Sequence, residues 1–401
     1  MSQPIPVHQR IEVMDVLRGV AVLGILIVNI YSFALPIDAL FELTDEGNHN
    51  VIDAWVFAFI SLFCGGKFMS MFAMLFGAGV ALMVDRRRQR GEPVAGLHYR
   101  RIALLAAVGL MHGLLIWYGD ILLPYAICSA VLFPLLYLST RKLVWVGLGV
   151  WVIVLMISMV YGLFTMWAES TAAEGQNVAR LFQDETERMR GGWWSVMEVR
   201  FIHWLVFMLI GPFFHFPWIL ALMITGALAK RSGWIDGGRP RGDYLRLMVV
   251  SVVIGLPIAS ARVALVLWAD TSFLTALELP MFVIDGTLLS IAWGSAVVLL
   301  VQAGALARLR RALVAVGRMA LTNYLTQSLI CTTLFYGYGF ALFGSLSRSE
   351  LLLIVLAIWL FQLLWSPWWL ARHERGPLEA VWRRITYGPG KKEAAGLTNP
   401  N

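Results

Sequence analysis

Nine apolar stretches run through this chain, each close to the length a helix needs to cross a bilayer, at roughly 14–35, 67–84, 102–118, 121–138, 143–165, 244–268, 275–303, 319–340 and 350–371. About 20 such residues span the hydrocarbon layer as a helix. A tenth stretch, 198–229, is interrupted at Gly211-Pro212, where a kink within one bent crossing is expected. Composition excludes the two or three soluble domains that length alone would suggest. Of 401 residues 59% are hydrophobic and 14% charged, whereas soluble domains carry about a quarter charged residues. The expected fold is all-α: a polytopic membrane helical bundle of about ten transmembrane helices.

The charges set its orientation. The net charge of +7 is a poor argument for nucleic acid, because cytoplasmic loops of membrane proteins collect Lys and Arg. With the N-terminus inside and 51–84 crossing once, 24 of the 32 Lys/Arg fall on inner segments, five on outer segments and three (Arg18, Lys67, Arg262) within spans. Asp38, Glu42, Asp45 and Glu46 fall outside. If the short apolar segment 51–64 crossed separately, Asp85-Arg86-Arg87-Arg88 would land outside, against that bias. The segment 51–64 is therefore either an interfacial helix or the outer half of a broken one. Both termini are expected in the cytoplasm, with 1–390 one transmembrane domain and 391–401 a flexible tail. The first apolar run is too long for a cleavable signal, and no small-residue cleavage site follows it. The outer loop 166–197 reads as a short helix plus turns. Cys64, Cys128 and Cys331 lie in apolar runs and imply no disulfide scaffold.

A charge inside a span costs about 2.5–3.5 kcal/mol on insertion scales, so each calls for a partner or a task. Asp15 and Arg18, three apart, can pair on one face of the first helix. Asn29 lies eleven residues beyond Arg18 on that same face, about 16 Å further along. Lys67 follows two glycines and is read as snorkelling outward, the alternative being a break lined by protein. His112 is the best general base available. Asp120 lies eight residues on, about 12 Å along a regular helix, so the two do not pair directly if the helix is regular. Asp120 also suits a helix cap. His203 and His215 face different sides of their segment, which argues against a two-His metal site. Arg262 and Asp285 either pair or clamp a polar substrate from outside. No zinc spacing, phosphate loop or Gly-x-Ser-x-Gly elbow occurs. Gly77-x-Gly79 reads as helix packing. No metal or tightly bound cofactor is expected.

The run Met14 to Ile25 with Asn29 resembles the opening of the YeiB family of bacterial inner-membrane proteins. Further motifs of that resemblance are Lys67-Phe68 leading to Leu75-Phe76-Gly77-Ala78-Gly79, and Gly109-Leu110-Met111-His112-Gly113 leading to Gly119-Asp120-Ile121-Leu122. Late in the chain come Gly317 to Tyr324 with Gln327-Ser328, and Gly376-Pro377-Leu378-Glu379 with Trp382-Arg383. The family looks like a branch of the transmembrane acyltransferases, which include heparan-α-glucosaminide N-acetyltransferase and the family-three acyltransferases. Those enzymes carry an acyl group from cytoplasmic acyl-coenzyme A to a hydroxyl or amine across the membrane. The family-three enzymes have Arg-x(10)-His in the first helix; here Asn29 stands at the histidine position, so either His112 replaces that base or the acyl-transfer assignment fails for this branch.

The resemblance implies acyl-coenzyme A as donor, with its phosphates near Arg100, Arg101 and Arg318 and with Arg18, held by Asp15, at the tunnel mouth. His112 would deprotonate the acceptor and Asn29 would donate to the oxyanion. Arg262, Asp285 and Asp120, together with Lys67, Asn323 and Tyr324, would shape the acceptor pocket. The partners are the bilayer, the thioester and an acceptor of unassigned identity; a homodimer is left open. The rival reading is a transporter or lipid-binding protein that uses the same polar residues as a path, and a third is a scaffold engaging a partner through 166–197.

Overall fold

The computed structural model describes residues 7–37, 51–170, 184–268 and 272–387. Asp38, Glu42, Asp45, Glu46, Arg180 and the tail 391–401 lie outside the described residues, as does much of 166–197. Helices in order are α1 (Val7–Ala34), α2 (Val51–Phe63), α3 (Lys67–Gln89), α4 (Ala95–Leu115), α5 (Leu122–Leu135), α6 (Thr140–Ser170), α7 (Glu185–Met189), α8 (Trp193–Ile210), α9 (His215–Arg231), α10 (Arg241–Trp268), α11 (Ser272–Gln302), α12 (Ala307–Arg318), α13 (Ala320–Phe335), α14 (Arg348–Leu370) and α15 (Pro377–Tyr387). No strand occurs among the described residues, as a lipid-embedded backbone that must bond to itself requires. Seven helical segments among them are long and apolar enough to cross a membrane: α1, α2 with α3, α6, α8, α10, α11 and α14. The chain is an all-α helical membrane bundle.

α1 is its hub. In its most apolar window 72% is buried inside the protein, against 22% in α6 and in α8, and 28% in α10 and in α14. Those four helices turn side chains such as Met156, Leu209, Val253 and Leu360 outward, where lipid would solvate them. α1 packs on α3, α12, α13 and α14. Two close crossings rest on glycine. A Cβ on Gly19 would strike the Leu313 carbonyl and one on Gly317 the Asp15 carbonyl; likewise Gly77 meets the backbone of Met223 and Gly226 that of Met74.

Two of the doubtful segments are breaks. Residues 51–63 form a helix that stops at a turn, where Gly66 takes φ +73°, a conformation open to glycine. The stretch 198–229 is not merely kinked: α8 ends at Ile210 and α9 starts at His215. The apolar runs 121–138 and 319–340 become the shorter helices α5 and α13, of 14 and 16 residues. α13 buries Thr322, Asn323, Gln327, Ser328 and Thr332. Its amides tie it to neighbours, the Asn323 Nδ2 to Ser366 Oγ at 3.1 Å, the Gln362 Nε2 to the Asn323 carbonyl at 2.8 Å and the Gln327 Nε2 to Gln362 Oε1 at 2.9 Å. In an apolar setting such bonds hold helices together.

The two ends differ. At one, Arg100 bonds the Thr386 carbonyl, Arg101 reaches Tyr387, and Arg318 bonds the Glu374 carbonyl. At the other, Asp53 accepts from the Ser349 amide, Glu185 from the Ile37 amide, and Arg190 donates to the Phe343 carbonyl. All three cysteines are buried and free.

Candidate active site

α4 stops at Leu115, so the eight residues from His112 to Asp120 are not a regular helix. The chain reverses through 116–121 and lays Asp120 back on α4 beside Gly109 and Gly113. Gly109 has no Cβ, and one placed there would meet the Leu123 amide nitrogen and stand 2.8 Å from Asp120 Oδ2. The expected 12 Å separation is thereby corrected: His112 Nδ1 lies 2.9 Å from Asp120 Oδ1. Asp120 also caps α5, its Oδ2 accepting from the Leu123 amide at 2.8 Å. Gly109→Ala is expected to cost about 1–3 kcal/mol, as overpacking does, and to lower the unfolding midpoint in detergent. Gly96→Ala, at a position with open space, is the control that should leave the midpoint unchanged.

On the other side of the imidazole stands Ser328 of α13, its Oγ 2.9 Å from His112 Nε2. His112, Asp120 and Ser328 are 1%, 0% and 1% exposed, so the three form a dry relay. An ionised carboxylate only accepts. It therefore fixes the proton on Nδ1 and leaves the Nε2 lone pair for the serine hydroxyl. The Tyr324 ring is 5.2 Å from the imidazole, and its hydroxyl is buried. The relay sits where two apolar clusters meet, with Trp117 in one and Leu122, Tyr125 and Tyr324 in the other. Such seams between helices are where sites are built.

Six residues before Ser328 on α13, about 9 Å along the helix, Thr322 marks the arginine-rich end. There Glu379 of α15 accepts from the amides of Leu321 and Thr322 and from the Thr322 hydroxyl, capping α13. Beside it opens a cleft of about 520 Å³ lined by Asp15, Arg18, Gly317, Arg318, Glu374, Arg375 and Glu379. Arg18 is held by Asp15 at 2.7 Å. Three arginines and three carboxylates line it; Arg375 pairs with Glu374, and Arg318 forms no ion pair among the described residues. Arg100 and Arg101 do not line this cleft; they bind the far end of α15.

The Escherichia coli (strain K12) protein described as uncharacterized protein YeiB is 33% identical to this chain over 94% of its length and 96% of the relative's. The chain belongs to the YeiB family. The Bacillus subtilis (strain 168) protein described as uncharacterized protein YxaH is 31% identical over 96% of each. The family model described as protein of unknown function (DUF418) matches residues 229–389. No solved structure matches.

The remaining sequence-designated residues of this YeiB-family chain divide clearly. Lys67 does not snorkel. It is fully buried, and its Nζ lies 2.7 Å from Asp285 Oδ1. The glycine turn before it holds its Cα deep in the bundle, where the carboxylate of α11 receives it. Arg262 takes the other oxygen at 2.8 Å, which is the pairing alternative for Arg262 and Asp285. Both cations also donate to the Ser61 carbonyl, exposed by the end of α2, so the negative pole of that helix offsets the extra positive charge. Asn323 serves the α13–α14 amide network. Asn29 makes no hydrogen bond to His112, Asp120 or Ser328 among the described residues. Residues of this YeiB-family chain that gather at the relay are thus His112, Asp120 and Tyr324, joined by Ser328. Ser328 lies in the Gln327-Ser328 motif of the family resemblance, but its place at the relay has no local signal, since it stands 216 positions from its histidine and in no local nucleophile motif.

Among the described residues no group of three or more His, Cys, Asp or Glu gathers to hold a metal ion.

Proposed function

We propose that this chain is an acyltransferase of the bacterial inner membrane. It crosses about ten times with both ends in the cytoplasm and moves an acyl group from cytoplasmic acyl-coenzyme A to an acceptor at the outer face. The observation that carries this reading is the buried Asp120–His112–Ser328 relay. Its imidazole is poised as a base, and a cleft lined by Arg18, Arg318 and Arg375 opens beyond the start of α13, with Arg318 ten residues, about 15 Å of chain rise, before Ser328. His112 takes the proton of the attacking hydroxyl or amine, and Asp120 holds the imidazole in the required tautomer and stabilises it once charged. The Tyr324 hydroxyl is the donor for the developing oxyanion. Arg18 and Arg318 meet the donor's phosphates.

The test is free-thiol release from acetyl- and palmitoyl-coenzyme A by the protein in phosphatidylethanolamine/phosphatidylglycerol proteoliposomes. Thioester consumption above protein-free vesicles is the expected result. Arg318→Ala should raise KM about tenfold, the equivalent of one charge-assisted hydrogen bond of about 1.4 kcal/mol, with kcat little changed. No consumption and no calorimetric binding of coenzyme A, together with solute uptake or lipid exchange by the same vesicles, would favour the transporter reading.

A further inference from the structure

We propose that Ser328 is the covalent way-station of the reaction: the acyl group passes from the thioester to Ser328 Oγ before it reaches the acceptor. The inference rests on the acyltransferase reading and deepens it by replacing a single direct transfer with two transfers through an acyl-serine.

The geometry points to a nucleophile and not merely to a hydrogen bond that steadies an imidazole. A histidine that only needs orientation is already oriented by Asp120 at 2.9 Å. Ser328 occupies the other ring nitrogen at 2.9 Å, which is where an acceptor's proton would otherwise have to arrive. Nucleophile, base and orienting carboxylate in hydrogen-bonded series are the arrangement that activates a serine hydroxyl. The competing contact of the hydroxyl, to the Tyr324 carbonyl one turn back, is longer at 3.4 Å. Tyr324, one turn back on the same helix, carries a buried hydroxyl that can donate.

A covalent stage also fits a donor and an acceptor that approach from opposite ends of one buried group. In the first half-reaction the Oγ–C bond forms as the C–S bond of the thioester breaks. His112 takes the serine proton and passes it to the departing sulfur, so coenzyme A leaves as the free thiol. In the second, the acceptor oxygen or nitrogen attacks the acyl-serine. His112 takes the acceptor's proton and returns it to Ser328 Oγ as the ester bond breaks. No oxidant, reductant or further reactant is needed, and the serine ends as it began.

The experiment uses the full chain in proteoliposomes with excess acetyl-coenzyme A and no added acceptor, quenched in acid within the first turnover. The wild type should release a burst of about one thiol per chain, with an acetyl adduct on the peptide containing Ser328. Ser328→Ala should lose the burst and the adduct while still binding coenzyme A by calorimetry. Ser328→Cys, nearly isosteric, should carry the adduct as a thioester that neutral hydroxylamine removes. Steady transfer by Ser328→Ala, or an adduct on any other residue, overturns the way-station and leaves the acyltransferase reading standing. A wild type that consumes no thioester overturns both.

Discussion

His112→Ala is expected to lower thioester turnover by about 10⁴-fold, and adding Asp120→Asn to that variant should lower it little further. The reason is that the carboxylate acts only through the imidazole, so its contribution disappears with the ring; members of such relays are grossly non-additive. Asp120→Asn alone should cost about 10³–10⁴-fold. An amide at that position presents its NH₂ to Nδ1, moves the ring proton to Nε2 and leaves no lone pair for the Ser328 hydroxyl. The asparagine oxygen can still cap α5, so the unfolding midpoint should stay near wild type. The measurement is kcat for the three variants with pH profiles alongside, because a residue that merely supported the fold would not reshape the profile. Losses that multiply between the two positions would show that His112 and Asp120 work separately.

Asp285→Ala should be the most destabilising single change in the bundle. It strands Lys67 and Arg262 with no counter-ion, and removing one partner of a buried pair costs about 3–5 kcal/mol. The Ser61 carbonyl cannot replace a full negative charge. The folded fraction recovered in detergent, followed by size exclusion and thermal unfolding, reads the loss. Replacing all three (Lys67→Met, Arg262→Leu and Asp285→Leu) should recover most of it, because apolar groups of similar volume often substitute for buried ion pairs without cost. Equal midpoints for wild type and Asp285→Ala would mean that the cluster is hydrated and open.

The all-α membrane class was legible because its cause is local: lipid demands long apolar helices, and the runs are visible one at a time. So were the Asp15–Arg18 pair, which is three residues apart, and the Arg262–Asp285 alternative across consecutive helices. What stayed hidden depends on where the chain turns. Lys67 looked able to reach water because its sequence neighbours do not reveal Asp285, 218 positions away. His112 and Asp120 looked too far apart because nothing in their spacing announces that α4 ends at Leu115. The signal that was available lay in Gly109 and Gly113, two residues without side chains on either side of the histidine, where another piece of backbone can lie against the helix.

The burial of the three cysteines has a practical consequence. Cys64, Cys128 and Cys331 are 5%, 3% and 0% exposed, and thiols shut away in apolar surroundings are inert. The native chain therefore offers alkylating reagents nothing to label until it opens. Modification rates at the three positions would then follow the opening of three separate regions: the turn between α2 and α3, the middle of α5, and the inner face of α13. These cysteines are built-in reporters of which part of the bundle loosens first.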